Sequence, residues 1–154
     1  MKKIRIIFMD VDGTLTDGKI HISENGELFK TFNIKDGMAI TLLKNASLVP
    51  VIITGRFSKI TEIRCKELGI NEIHQGVNDK LSVLQSILKQ YELDKESALY
   101  FGDDVNDIEC MKYCGFSACP ADSTDEVKKN VTYICKRNGG DGVLRDLLEN
   151  FIKC

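Results

Sequence analysis

Short apolar runs that end in acidic, threonine or glycine residues alternate with amphipathic segments along this chain, and this alternation restricts the fold more than any other feature. Residues 4–9 form such a run, which only Arg5 interrupts, and acidic residues follow it at once. A continuous apolar run of this length suits a strand that is buried on both faces of a parallel sheet. The alternation therefore predicts a doubly wound (Rossmann-like) α/β fold.

The boundaries of the elements follow from the same pattern. Apolar runs predict parallel strands at residues 4–9, 48–53, 72–74, 98–101, 116–119 and 133–135. The segments between them predict helices at residues 36–46, 58–68, 80–91, 108–114, 124–130 and 142–152. In the second of these helices, the spacing of Ile60, Ile63 and Leu68 predicts the inward face.

Residues 19–23 and 28–33 are β-prone segments on either side of an Asn25-Gly26 pair. Asn-Gly supplies the positive φ angles that a tight hairpin turn needs. The sequence thus predicts a β-hairpin inserted after the first strand. Without repeats or a linker, residues 1–154 are expected to form a single domain.

Charge and cysteine usage exclude some classes of function. A formal charge of -2 and a pI near 5.7 provide no broad positive field for nucleic acid or an anionic membrane. Asp10 and Asp12 interrupt the apolar start before it reaches the length of a signal or membrane-spanning segment. We therefore expect a cytoplasmic protein with reduced, structural thiols. The cysteines are Cys65, Cys110, Cys114, Cys119, Cys135 and Cys154.

Four successive strands end in polar side chains. Ligands of open parallel sheets bind at the carboxyl ends of the strands, so these loops are expected to meet in one crevice. A lone Asp-x-Asp or Gly-Asp-Asp is more often a simple turn, whereas an ordered set at four strand ends indicates a site. The set consists of Asp10 and Asp12, then Thr54, Gly55 and Arg56, then Lys80, and finally Asp103, Asp104, Asn106 and Asp107.

These residue types are the ones that cleavage of a phosphate ester requires. Mg²⁺ prefers hard oxygen ligands, which Asp10 and Asp103 would supply from neighbouring strands. With the phosphate charge neutralised, Asp10 would attack phosphorus and form an aspartyl-phosphate. Asp12 would protonate the leaving oxygen and then deprotonate the water that breaks this intermediate. The Thr54 hydroxyl and the Lys80 ammonium would bind the transferring phosphoryl oxygens.

The same residues resemble the four motifs of the haloacid dehalogenase superfamily. The motif segments are residues 10–16 (DVDGTLT), 54–56 (TGR), Lys80 and residues 102–107 (GDDVND). More narrowly, the chain resembles the 3-deoxy-D-manno-octulosonate 8-phosphate (KDO 8-phosphate) phosphatase family over nearly its whole length. That narrower resemblance rests on residues 32–37 (FNIKDG), 52–56 (IITGR), 64–65, 75–76 and 139–142 (GGDG).

The resemblance implies a complete site. Mg²⁺ would be held by Asp10, the backbone carbonyl of Asp12, and Asp103. Asp104 and Asp107 would support the site, while the phosphate would lie against Thr54, Gly55, Lys80 and Asn106. The sugar acid would contact Asn33, Asp36, Gly37, Arg56 and Arg64, and the two arginines suit a carboxylate because a guanidinium can bind it with two hydrogen bonds.

The resemblance also implies an assembly. Members of this family lack a large cap domain, and the hairpin, here residues 19–33, builds the central barrel of a homotetramer that completes each site. Three features of this chain depart from the family pattern. Thr14 stands where valine is common, Thr41 lies near the expected position of another arginine, and an end at Cys154 leaves out a tail that some members have.

Several alternatives share parts of this pattern. Phosphatases of nine-carbon keto-sugar acids and domains attached to sialic-acid cytidylyltransferases resemble the same family. A signalling receiver domain also uses Asp, Thr and Lys at strand ends, but it has no use for an acidic cluster after Lys80. A non-catalytic tetramerisation module would be expected to have lost some of the catalytic groups, all of which are present here.

Overall fold

A computed structural model of the chain describes residues 4–153. Cys154, one of the predicted structural thiols, lies outside these residues, and the other five cysteines are buried and free. The strands are β1 (Ile6–Met9), β2 (His21–Ser23), β3 (Gly26–Phe29), β4 (Val49–Ile53), β5 (Glu72–His74), β6 (Ala98–Phe101), β7 (Phe116–Cys119) and β8 (Tyr133–Ile134). The helices are α1 (Ile34–Asn45), α2 (Lys59–Glu67), α3 (Lys80–Gln90), α4 (Ile108–Tyr113), α5 (Asp125–Lys128) and α6 (Val143–Leu147).

Six strands form one parallel sheet in the order β5-β4-β1-β6-β7-β8. The chain starts in the middle, builds outward through β4 and β5, and then returns to add β6, β7 and β8 on the other side of β1. This order confirms the predicted doubly wound fold. It places the change of direction at β1, where such sheets bind their ligands.

Side chains of the central strands alternate between two apolar cores, one on each face of the sheet. Ile7 and Met9 of β1 pack on the face that α1, α2 and α6 cover, while Ile6 and Phe8 pack against α3, α4 and α5. All four side chains are fully buried, as expected for a strand between two layers of helices. Within residues 4–153 no further element forms a large cap over the strand ends.

Strands β2 and β3 form the predicted hairpin as a separate two-stranded antiparallel sheet. The expected turn geometry was wrong at Asn25, because the only described non-glycine residues with positive φ are Ser47, Glu92 and Lys153. Gly26 alone provides the positive φ, at 113°. The Ser23 hydroxyl accepts a 3.1 Å hydrogen bond from the Asn25 N–H and stabilises the turn in its place.

Two helices differ from the prediction. Ile63 of α2 was expected to face inward but is 59% exposed, because the helix turns Thr61 and Cys65 toward the core instead. Helix α6 ends at Leu147 and continues as a wider π-helical turn over Leu148–Ile152. In that turn the Asn150 side-chain amide donates to the Asp146 carbonyl, which is the acceptor that a regular α-helix would offer to the Asn150 N–H. None of the helices within residues 4–153 combines the length and the apolarity needed to cross a membrane.

Candidate active site

Asp10 and Asp103 leave neighbouring strands at the same edge of the sheet. Strands β1 and β6 pair so that Met9 lies opposite Phe101, and the Asp10 N–H donates to the Phe101 carbonyl at 2.9 Å. One carboxylate oxygen from each of Asp10, Asp103 and Asp107 lies within 4.8 Å of the others. The loops after β1 and β6 therefore meet in one acidic cluster, as the sequence predicts.

Asp107 holds this cluster together and has no oxygen left free. Its Oδ1 accepts hydrogen bonds from the Lys80 ammonium at 2.8 Å and from the Tyr100 hydroxyl at 2.7 Å. Its Oδ2 accepts from the backbone N–H groups of Asp103 and Asp104. Sequence reasoning missed Tyr100, although a tyrosine inside an otherwise apolar strand must find a partner for its hydroxyl.

Lys80 is the cation of the cluster. It begins α3, its side chain is 3% exposed, and its Nζ lies 3.3 Å from Asp10 Oδ1. Burial disfavours the ammonium, but the carboxylates of Asp10 and Asp107 outweigh burial and raise the pKa of Lys80. The site therefore keeps a positive charge beside the proposed nucleophile.

Burial is the main cause of raised pKa values among the carboxylates of the cluster, and their mutual repulsion adds to it. Burial, together with the charge of Asp107, raises the pKa of Asp10 to about 6, although Lys80 opposes the shift. Burial also raises the pKa of Asp103 to about 7, against a 2.8 Å hydrogen bond from the Thr14 hydroxyl. Among residues 4–153, Asp10 Oδ1 accepts no hydrogen bond, although the Lys80 ammonium lies 3.3 Å from it. A buried oxygen that accepts no hydrogen bond, in a cluster with more carboxylates than cations, fits a hard divalent cation such as Mg²⁺, with Asp10 and Asp103 as its ligands.

Gly13 allows the close approach of Asp103. Its φ is +89°, and a Cβ at this position would lie 2.1 Å from Asp103 Oδ2. A side chain here would therefore meet both backbone strain and a clash with a carboxylate of the cluster. No local pattern in the sequence marks this role of Gly13, because it depends on a contact with the loop after β6.

Of the residues predicted to bind phosphate, Thr54 and Lys80 contact the cluster. Thr54 is buried at the end of β4, and a hydrogen bond from its hydroxyl lowers the pKa of Asp10. Gly55 is exposed beside it, and Asn106 is exposed in the short turn after β6. The loops after β1, β4 and β6 and the start of α3 thus converge on Asp10.

Asp12 lies beside a lysine that the sequence analysis did not anticipate. Lys30, directly after β3, places its Nζ against Asp12 Oδ1 and 3.1 Å from Glu27 Oε1. The Lys30 side chain is only 3% exposed. No local signal in the sequence marks this contact, because it depends on how the hairpin folds back onto the loop after β1.

Four of the five predicted sugar-acid contacts share one small cavity. Asn33, Asp36, Gly37 and Arg64 line a mainly apolar space of about 20 Å³, which has room for roughly one water molecule. This volume is too small for a sugar acid. Arg56 does not line it and is exposed in the loop after β4.

Two of these residues already have structural partners. Asp36 Oδ1 accepts hydrogen bonds from the N–H groups of Leu144 and Arg145, and so holds the start of α6. Arg64 donates to Glu67 at 2.9 Å and lies over the Phe32 ring. Asp36 Oδ2 and Arg64 Nε are buried and have no hydrogen-bond partner within residues 4–153.

Comparison with known proteins identifies the family. A family model of haloacid dehalogenase-like hydrolases matches residues 44–147. The 3-deoxy-D-manno-octulosonate 8-phosphate phosphatase KdsC of Escherichia coli (strain K12) is 35% identical over 148 residues, which cover 96% of this chain and 79% of that protein.

Solved structures agree with the sequence match. The crystal structure of the Moraxella catarrhalis 3-deoxy-D-manno-octulosonate 8-phosphate phosphatase, in complex with magnesium, phosphate and KDO, has a TM-score of 0.92 and 35% identity, covering 96% of this chain and 85% of that one. The cobalt-bound Haemophilus influenzae enzyme has a TM-score of 0.92 and 34% identity, with 95% and 85% covered. The chain therefore belongs to the haloacid dehalogenase-like hydrolases and, within them, to the 3-deoxy-D-manno-octulosonate 8-phosphate phosphatase family.

Proposed function

We propose that this protein is a Mg²⁺-dependent phosphomonoesterase that hydrolyses 3-deoxy-D-manno-octulosonate 8-phosphate. The buried cluster of Asp10, Lys80, Asp103 and Asp107 at the switch point of the sheet carries this proposal. The cluster combines a nucleophile, a cation for the phosphoryl group and hard oxygen donors for a metal in one place. The relatives named above are phosphatases of this substrate.

The reaction follows from the chemistry of the two aspartates after β1. The Asp10 carboxylate attacks phosphorus, and the Asp10–phosphorus bond forms as the bond to the sugar oxygen breaks. Asp12 donates a proton to that oxygen and later accepts one from the water that attacks the aspartyl-phosphate. Mg²⁺, held by Asp10, the Asp12 carbonyl and Asp103, supplies neutralisation of the phosphate charge when it is bound.

The other residues bind and orient the substrate in this proposal. Thr54, Gly55, Lys80 and Asn106 bind the phosphoryl oxygens, and Asp104 and Asp107 hold their loop. Asn33, Asp36, Gly37, Arg56 and Arg64 contact the sugar acid, with the arginines on its carboxylate. Because their shared cavity is small, we propose that most of this contact occurs above it, at the open mouth of the crevice.

A homotetramer would close this open mouth. The hairpin exposes Ile20, Ile22, Leu28 and Phe29, and exposed apolar surface of this kind usually marks an interface. Exposed apolar side chains also occur outside the hairpin, at Ile34 and Met38 of α1 and at Ile63 of α2. We propose that the hairpins at residues 19–33 pair around a central axis, in a cytoplasmic enzyme whose 154 residues act as one domain.

A phosphate-release assay tests the function. Purified protein should release phosphate from 3-deoxy-D-manno-octulosonate 8-phosphate more efficiently than from a nine-carbon keto-sugar-acid phosphate or from p-nitrophenyl phosphate. EDTA should abolish the activity, and added Mg²⁺ should restore it. A preference for the nine-carbon substrate would replace the proposed sugar, whereas no release from any of the three would contradict the phosphatase itself.

A further inference from the structure

We propose that Lys30 is a positioning residue for the Asp12 carboxylate, so that the hairpin sets the geometry of proton transfer. This inference rests on the proposed phosphatase function and adds a residue to it. The Lys30 ammonium contacts Asp12 Oδ1 and lies 3.1 Å from Glu27 Oε1. It therefore stands between the proposed acid–base residue and a carboxylate of the hairpin itself.

The burial of Lys30 indicates more than a surface ion pair. Its side chain is 3% exposed, whereas Lys66, which also contacts a carboxylate, is 66% exposed. A buried ammonium is costly unless its donors are satisfied, and here two carboxylates satisfy it. Exposed pairs of lysine and carboxylate contribute little to stability. The buried Lys30 ammonium in contact with Asp12 therefore requires another explanation.

Glu27 anchors Lys30 to the other side of the site. The Ser58 hydroxyl donates to Glu27 Oε2 at 2.5 Å, and the same hydroxyl caps α2 by accepting from the Thr61 N–H. Although burial opposes it, the hydrogen bonds from Ser58 and Lys30 lower the pKa of Glu27, which therefore stays ionised. Ser58, Glu27, Lys30 and Asp12 form a continuous chain of contacts from the loop after β4 to the loop after β1.

This chain of contacts assigns different tasks to the two oxygens of Asp12. Oδ1 is held by Lys30, so Oδ2 carries the proton. In the first step the proton moves from Oδ2 to the sugar oxygen as the phosphorus–oxygen bond breaks and the Asp10–phosphorus bond forms. In the second step Oδ2 takes a proton from the water that attacks phosphorus, and the Asp10–phosphorus bond breaks.

Lys30→Met tests the positioning role of Lys30, with Lys66→Met as the matched control. Because proton transfer is affected and substrate binding is not, kcat should fall about 10- to 100-fold while KM stays within about threefold of wild type. Lys30→Arg should recover part of the loss, since it restores a cation that can reach Asp12. Lys66→Met, which removes an exposed lysine paired with Glu62, should leave both constants unchanged.

A double-mutant cycle separates positioning from a general structural effect. If Lys30 acts through Asp12, the variant with both Asp12→Asn and Lys30→Met should be no slower than Asp12→Asn alone. The proposal would be overturned if Lys30→Met lowers kcat by the same factor in wild type and in Asp12→Asn. It would also be overturned if Lys30→Met alone keeps the wild-type kcat. If Lys30→Met does not fold, Glu27→Gln replaces it in the double-mutant cycle with Asp12→Asn. This exchange weakens the contact that holds Lys30 but keeps the lysine itself. A wild-type protein that releases no phosphate from any ester overturns the phosphatase function, which distinguishes that failure from the failure of Lys30 alone.

Discussion

At the scale of single residues, the carboxylates of the site outnumber the cation beside them. Asp10, Asp103 and Asp107 lie together with Lys80 as their cation, and Asp107 satisfies its oxygens with protein donors while Asp10 does not. This difference in hydrogen bonding distinguishes Asp107, which holds the loop, from Asp10, the proposed nucleophile. The geometry of the cluster also explains why Thr14, a departure from the family pattern, is useful here, since its hydroxyl donates to Asp103.

The nucleophile can be tested directly. Asp10→Asn should abolish phosphate release, with a loss of at least about 10³-fold, because an amide cannot form the aspartyl-phosphate. Thermal unfolding should show that the variant is folded. Asp125→Asn, an exposed aspartate in the first turn of α5, is the matched control and should keep wild-type turnover. Near-wild-type turnover in Asp10→Asn would assign the nucleophile elsewhere.

Asp36 predicts a pH dependence of stability. Burial raises its pKa to about 6 from an ordinary value of 3.8, although the Leu144 and Arg145 N–H groups oppose the shift. The folded protein thus binds this proton more tightly than the unfolded chain, so the ionisation of Asp36 lowers stability as pH rises from 4 to 7. Asn at this position keeps an acceptor for α6 but does not titrate.

The unfolding free energy of Asp36→Asn minus that of wild type should therefore increase by about 2 kcal/mol between pH 4 and pH 7. Chemical denaturation at both pH values measures this difference, with Asp125→Asn as the exchange of an exposed aspartate for comparison. A constant difference for Asp36→Asn would mean that the hydrogen bonds to α6 cancel the effect of burial.

At the scale of elements, the hairpin is the least self-sufficient part of the described chain. Two strands alone are marginally stable in water, and β2 and β3 belong to no larger sheet in this chain. Ile63 on α2, which amphipathic spacing predicts to be inward, is also exposed. An element that faces a second copy cannot be distinguished by periodicity from one that faces its own core.

Phe29→Glu tests the role of the hairpin. Phe29 is 50% exposed and stacks on His21, so a charge there should prevent hairpins from pairing. Sedimentation velocity should show a tetramer for wild type and a monomer for the variant. The monomer should cleave p-nitrophenyl phosphate but lose its preference for the sugar-acid phosphate.

Glu24→Gln at the tip of the hairpin is the control for this exchange and should remain tetrameric. A wild-type protein that sediments as a monomer and still selects the sugar acid would contradict the assembly.

At the scale of the whole molecule, the metal should couple the loops of the site to global stability. A ligand that binds only the folded state raises the free energy of unfolding by about 2.7 kcal/mol at 100 times its dissociation constant. For a chain of this length, that corresponds to an increase in Tm of about 5 to 10 °C. Mg²⁺ should therefore raise the Tm of wild type, and Asp103→Asn should abolish most of the increase.

Calorimetry with and without Mg²⁺ measures this coupling. Ca²⁺-free and Mg²⁺-free samples prepared with EDTA define the baseline, and Asp125→Asn should respond to Mg²⁺ as wild type does. An equal increase in Tm for wild type and Asp103→Asn would show that the metal binds elsewhere.

The doubly wound α/β fold and the polar residues at the strand ends could be predicted from local patterns in the sequence. Because apolar runs and the polar residues after them are adjacent in the chain, the sequence predicts that Asp10, Thr54, Lys80 and Asp103 share one crevice. Only the tertiary structure decided which partners those residues have. Lys30 meets Asp12 across 18 positions, and Asp36 meets Leu144 across 108. Such contacts depend on how whole elements pack, and packing between distant segments leaves no periodic signal in the chain.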